Sequence, residues 1–528
     1  AGINGLVAAA MLALRGDRVL VLDRSDRPGG CLRTEEVTLP GFRHDVMAAT
    51  FVLFMTGPAG AALGPHLARH GFDYCHTRQP TAVLRPDGSA LVLTTDRAAN
   101  VAAMNALSPG DGDAHAAEMA ALERDAPFLF ALLGGALWSW PTLRLLAGQA
   151  RRRGLRGLAD WFGQALAPAR GWLETTYRSP LVQALWAPWV LHCGLTPESA
   201  YSAQMGRVVA FALEAAGAPV AKGGAGRIVE AFVALIRERG GEVRTGADVE
   251  RILVERGRVA GVRLAGGGGT GGGGTGGGGT GGETIATRSV LASVTPGQLY
   301  GRLLAGVDLP GDRRAAAARF RHGRGDFQLH YALDRHPEWL TPGLDDVALI
   351  HLADGIDSVS RSANEAERGL LPAEPTICVG QPHRLDPSRC PPGKAILWIQ
   401  IPDAPRQVKG DAAGEIATAG TAWTEELREA FADRIERILA RHIRGFDRIV
   451  LKRRACSPAD LEALNVNLVG GDPYGGACSI DQFFLWRSPA ETDPRRGIRG
   501  LIHIGASTHP GPGLGGGSGL LAARALGA

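Results

Sequence analysis

Cysteine pairs, basic runs and long unbroken apolar stretches are all missing from this 528-residue chain. The seven cysteines (Cys31, Cys75, Cys193, Cys378, Cys390, Cys456 and Cys478) form no C-x-x-C pair and follow no regular spacing. That argues against a zinc framework, a disulfide scaffold and a dithiol redox centre, and no metal site is expected. The start lacks the basic region and cleavage pattern of a signal peptide, so a reducing, cytoplasmic setting is expected. A net charge of +4 with no basic cluster gives no reason to expect nucleic acid as a partner. A spanning helix needs about 20 apolar residues. The best candidate, Ala126 to Leu143, is uncharged but broken by Pro127, Gly134, Gly135 and Pro141.

What is present is glycine, 74 residues of it, and three clusters of it are informative. The first is Ala1-Gly2-Ile3-Asn4-Gly5, followed by an Ala/Leu-rich helix to Arg15, an apolar strand over Arg18 to Leu22, and Asp23. Turn, helix, strand and acid make the back half of a βαβ nucleotide-binding unit, whose first strand and first glycine are expected to lie before Ala1. Glycines let backbone approach a pyrophosphate at a helix N-terminus, and an acid about 20 residues on accepts ribose hydroxyls. Arg27-Pro28-Gly29-Gly30 follows at once, with two glycines for a second close approach and an arginine near phosphate. The second setting is the run Gly505-Ala506-Ser507-Thr508-His509-Pro510-Gly511, continuing to Gly515-Gly516-Gly517. It follows a strand, Leu501 to Ile504, and precedes a helix starting near Ser518, which makes an anion- and dipole-friendly turn. The third, Gly266 to Gly282, contains only glycine and threonine. It has nothing to bury, so it is expected to be a flexible hairpin turn between Val259–Leu264 and Ser289–Val294.

Residues 98–215 differ in texture. They are rich in Ala and Leu at helical spacing, and hold six of the ten tryptophans: Trp138, Trp140, Trp161, Trp172, Trp186 and Trp189. Two readings stay open: a buried helical lid, or an interfacial segment touching a membrane, where Trp flanked by Arg144 and Arg151 to Arg153 is favoured. Further on, Ala395 to Ile401 is expected as a buried strand and Thr424 to Arg441 as an amphipathic helix.

Asp23, the Arg27-Pro28-Gly29-Gly30 turn and the long tail motif together resemble the phytoene-desaturase-like FAD-dependent oxidoreductases, a group related to carotenoid isomerases and amine oxidases. Asn467 to Trp486 looks most like the branch of pyridine nucleotide-disulfide oxidoreductase domain proteins. The chain departs from the pattern at Cys31, where the family has an arginine; Arg33 is the candidate substitute. The resemblance implies an α/β (α+β) chain: a Rossmann-like FAD-binding domain of the glutathione-reductase/amine-oxidase type without its first strand, a mixed-sheet substrate domain and a helical lid. The expected division is 1–97 (FAD domain, first part, and start of the substrate domain), 98–215 (lid), 216–300 (FAD domain, second part), 301–490 (substrate domain) and 491–528 (FAD domain, last part). FAD is the expected cofactor. Its implied contacts are Gly2, Asn4, Gly5, Asp23, Arg24, Arg27, Gly29, Gly30, Val249, Gly505, Ala506, Ser507, Gly515, Gly516 and Gly517. Candidate catalytic residues are His509, beside the tail turn, and Asp481 and Tyr474 before it. The implied chemistry is hydride exchange between FAD and an apolar, polyene or lipid-like substrate. Two alternatives remain open at this point: a flavin amine or alcohol oxidase, and a non-catalytic partner-binding protein on a degenerate flavin fold.

Overall fold

The computed structural model describes residues 1–47, 49–266, 282–309, 313–483, 487 and 497–528. Helix Ile3–Arg15 carries alanine and leucine on nearly every face, because it is covered on several sides at once: Leu6, Val7, Ala8 and Ala10 are almost fully buried. Gly16, in the left-handed region, closes it and turns the chain into strand Leu20–Leu22. That strand runs parallel to Glu242–Arg244, which follows the amphipathic helix Gly226–Glu238. A second parallel pair joins Val290–Ser293 to Leu501–Ile504. Helices Ile3–Arg15, Gly226–Glu238 and Gly517–Ala525 pack beside these short strands, which makes the Rossmann-like domain of an α/β fold.

The second domain rests on a seven-stranded sheet. Its strand order is Val450–Cys456, Gly325–Leu333, Ala395–Ala404, Ile377–Gly380, Leu349–Leu352, Thr81–Leu84 and Ala90–Leu93. All neighbours are antiparallel except Leu349–Leu352 with Thr81–Leu84. Gly325–Leu333 and Ala395–Ala404 are buried over almost their whole length, because helix Glu425–Ala440 covers one side of the sheet and the helical layer the other. The helical layer comprises Arg97–Leu107, Asp111–Gly134, Trp140–Ala165, Ala169–Thr176, Pro180–Trp186, the 3-10 turn Ala187–Cys193 and Ser202–Ala216. Pro141 lies in the first turn of its helix, where a missing N–H costs nothing. Among the described residues no helix is long and apolar enough to cross a membrane.

One local expectation is corrected. Ser289–Val294 is not the second arm of the hairpin: Val290–Ser293 pairs with Leu501–Ile504. Thr284–Ala286 closes the hairpin on Arg258–Leu264, with Arg263 opposite Thr284. Three residues are too few for an alternation pattern to show in sequence. The Gly266–Gly282 spacer, its two end residues apart, lies outside the described residues, as do 484–486 and 491–496. Loop-closure entropy grows only with the logarithm of length. Replacing residues 267–281 with a four-residue turn is therefore expected to raise stability by about 1 kcal/mol, read by urea unfolding. A large loss of stability would show that the spacer has a structural role.

Candidate active site

The turns near residues 2, 29 and 515 come together around one helix. Gly2 and Gly29 form a parallel backbone bridge, and the Gly29 N–H donates to the Ala1 carbonyl at 2.9 Å. The tail turn docks on the other side. The Gly519 N–H donates to Asn4 Oδ1 at 3.3 Å, and a Cβ on Gly519 would fall 1.9 Å from the Asn4 carbonyl oxygen. Gly516 sits at φ +67°, where a Cβ would lie 2.5 Å from Val7 Cγ2. Only glycine allows helices Ile3–Arg15 and Gly517–Ala525 to pack this closely.

A single cavity of about 1880 Å³ runs past these turns into the space between sheet and helical layer. Ligand pockets are usually about 300–1,000 Å³, so this one has room for an extended cofactor and a second molecule. All fifteen residues expected to touch the cofactor line it: Gly2, Asn4, Gly5, Asp23, Arg24, Arg27, Gly29, Gly30, Val249, Gly505, Ala506, Ser507, Gly515, Gly516 and Gly517. Asp23, nearly buried, ends strand Leu20–Leu22; its Oδ1 accepts from the Ser25 N–H at 2.9 Å and its Oδ2 lies 2.8 Å from the Ala1 amino group. Arg27 is half exposed beside Asp26. Cys31 also lines the cavity, and burial pushes its thiol up to about 11. Arg33 reaches the cavity too, but its Nε donates to Glu35 Oε1 at 2.7 Å, so its charge is already partnered.

The tail turn is braced from outside the domain. Ser518 Oγ accepts from the Gly505 N–H at 3.1 Å and lies 2.6 Å from Thr508 Oγ1. Arg487, buried, donates to the carbonyls of Tyr474, Gly476, Ala477 and Ala506. Asp472, also buried, accepts from the N–H groups of Gly323, Tyr474 and Gly476. These two residues hold the 472–478 loop against the turn.

The three catalytic candidates fare differently. Tyr474 lines the cavity, but its hydroxyl donates to the Leu191 carbonyl at 2.6 Å, and burial raises its pKa well above the ordinary value. Asp481 does not reach the cavity. It is exposed and ion-paired with Arg321 at 2.6 Å, and that bond keeps its carboxyl low and ionised in water. His509 does not line the cavity either. Its Nε2 meets the Gly135 carbonyl at 2.9 Å, tying the turn to the lid, and burial lowers it to about 4. Sequence position beside the glycine turn placed both near the chemistry, whereas backbone direction points them away from it.

The residue missed was Asp326. It is buried on strand Gly325–Leu333, lines the cavity, and its Oδ2 accepts from Gln328 Nε2 at 2.7 Å and Gln400 Nε2 at 3.2 Å. Desolvation pushes its carboxyl from the ordinary 3.8 up to about 7, against those two hydrogen bonds. A signal was present: Asp326, Gln328 and His330 alternate in an otherwise apolar strand, which puts three polar groups on one buried face. Much of the inner wall is apolar, with Trp189, Val208, Phe211, Leu349, Trp398 and Phe483.

The close helix contact makes a direct test. Gly519→Ala is expected to destabilise the chain by about 1–3 kcal/mol through overpacking against Asn4 and to weaken cofactor retention. Denaturant unfolding and flavin absorbance after desalting check both. A variant of unchanged stability would show that the two helices can separate without cost.

Comparison with known proteins agrees with this geometry. A family model described as an NAD(P)-binding Rossmann-like domain matches residues 1–55. The mouse pyridine nucleotide-disulfide oxidoreductase domain-containing protein 2 is 27% identical, across 100% of this chain and 92% of its own. The zeta-carotene-forming phytoene desaturase of Myxococcus xanthus is 26% identical, across 97% of this chain and 90% of its own. The structure of putrescine oxidase bound to putrescine superposes with a TM-score of 0.58 at 14% identity, covering 99% of this chain and 96% of that one, a likeness of fold. These relationships imply an FAD-type cofactor. The residues present fit one: an acid at a strand end, glycine turns at close approach, and a helix N-terminus opening on the same cavity. By fold and along its length, the chain is similar to FAD-dependent oxidoreductases of the phytoene-desaturase-like group.

Proposed function

We propose that this oxidoreductase exchanges hydride between FAD and an apolar, polyene or lipid-like substrate held between the sheet and the helical layer. The observation that carries the reading is the continuity of the cavity: it passes from the glycine turns to a wall of Trp189, Phe211, Leu349, Trp398 and Phe483, with Asp326 beside it. When bound, the flavin supplies a hydride acceptor or donor. The glycine turns and Asp23 would hold it, and the N-terminus of helix Gly517–Ala525 would favour negative charge developing there. The aromatic wall would orient the substrate and exclude water. Asp326 is the group placed to take or give the proton that accompanies hydride transfer, since its carboxyl changes state near pH 7.

The lid supports a membrane as the source of substrate. Trp138 is 86% exposed, Trp140 62% and Leu155 80%, while Trp172, Trp186 and Trp189 are buried. Arg144 lies over the Trp140 ring at 5.2 Å. Leu53, Phe130 and Gly134 carry the same region to the cavity. Large exposed aromatics beside arginines suit a bilayer interface.

Two outcomes are expected. Anaerobic addition of phytoene-type polyenes in phospholipid vesicles bleaches the flavin of the holoenzyme, and Trp138→Ser with Trp140→Ser slows bleaching from vesicles more than from detergent micelles. Peroxide release on addition of amines, with no bleaching by polyenes, would favour the oxidase reading instead. Asp326→Asn should abolish the rise of the bleaching rate with pH centred near 7. It should also alter stability in a definite direction. The unfolded chain releases this proton near 3.8 and the folded chain near 7, so between them the folded state holds more protons and stability falls as pH rises. Wild type is thus expected to lose melting temperature relative to Asp326→Asn from about pH 4 to pH 7. Parallel curves would show that Asp326 titrates normally.

A further inference from the structure

Where the helical layer meets the sheet, three metal-ligating side chains come together that are far apart in sequence. His192 lies in the 3-10 turn Ala187–Cys193, His351 on strand Leu349–Leu352, and Cys378 on Ile377–Gly380. His351 and Cys378 are direct cross-strand partners, so their side chains share one face of the sheet. One ligand atom from each of the three lies within 4.8 Å of the other two. His192 Nε2 and His351 Nε2 are 2.9 Å apart. Trp189 packs against both rings, with centroids at 4.8 and 4.9 Å, and His192 lines the inner wall of the cavity.

Polar groups are seldom buried this way without a partner. His351 and Cys378 are fully buried in an apolar cluster with Trp189, Leu349 and Trp398, and His351 Nδ1 has no hydrogen-bond partner. Desolvation holds both imidazoles in the neutral, ligand-competent form, His192 at about 4 and His351 well below its ordinary value. The donor set is two imidazoles and one thiol, with no fourth ligand in the cluster among the described residues. Metal–nitrogen bonds of about 2.0 Å require the two nitrogens to open to roughly 3.3 Å, a small side-chain rotation from the present contact.

We propose that His192, His351 and Cys378 form a three-coordinate site for a thiophilic d10 metal ion, and that monovalent copper is the ion it takes. Three soft or borderline donors match the low coordination number of monovalent copper, whereas structural zinc asks for four ligands. Charge favours the same ion. One thiolate neutralises one monovalent cation, whereas a divalent ion would leave a net positive charge in an apolar cluster. Binding would exchange the thiol proton for the metal, so each ion bound releases one proton. The ion would also pin the lid's 3-10 turn to the central sheet.

The test uses the full chain with its flavin, loaded anaerobically with cuprous ion in competition with bicinchoninate. The expected result is one copper retained per chain, two nitrogen and one sulfur neighbours in X-ray absorption, release of one proton per copper, and a higher melting temperature. Cys378→Ser should lose the copper while keeping the flavin spectrum. His192→Gln, at the partly accessible edge, should weaken binding by about 10–100-fold and serves if Cys378→Ser does not fold. No retained copper, copper retained equally by both variants, or a preference for zinc over copper would each overturn the proposal.

Discussion

The structure depends on the contact between the first helix and the last. Helices Ile3–Arg15 and Gly517–Ala525 meet so closely that the Gly519 position has no room for a Cβ against the Asn4 carbonyl. This contact sets the two glycine turns on one groove. Burial of Leu6, Val7 and Ala10 on one helix and Leu520 and Ala523 on the other provides the apolar surface that holds it. Without it the tail turn has no fixed position relative to Gly2 and Asp23, and the cofactor site is not assembled.

A second constraint shapes the inner part of the cavity. The seven-stranded sheet is buried on both sides, so polar residues on its inner face are costly unless they bond to one another. Asp326 bonds to Gln328 and Gln400. His351, opposite Cys378, meets His192 from the helical layer. The same apolar surroundings that raise Asp326 lower the histidines, because desolvation favours the neutral form of each. The inner wall is therefore largely uncharged near neutrality.

The helical layer is divided by exposure. Trp172 and Trp186 are core residues: the Trp172 indole N–H donates to Glu118, and the Trp186 ring stacks near His115. Trp138 and Trp140 stand in solvent at the bend between two long helices. The tryptophans of residues 98–215 thus divide between core and surface within one layer, since helical periodicity leaves each ring on its own face.

By itself the sequence determined the elements whose chemistry is local. The glycine turns, Asp23, the helices at both ends and the buried strand from Ala395 were legible because backbone conformation, helix propensity and apolar periodicity act over a few residues. Tertiary structure alone decided which side chains face the cavity. His509 and Asp481 neighbour the right turns but point to Gly135 and Arg321, whereas Asp326 and the His192–His351–Cys378 cluster come from separate strands and helices that only packing brings together. The physical reason is range: propensity is written along the chain, but burial, desolvation and side-chain direction are set by neighbours that come from other elements of the fold.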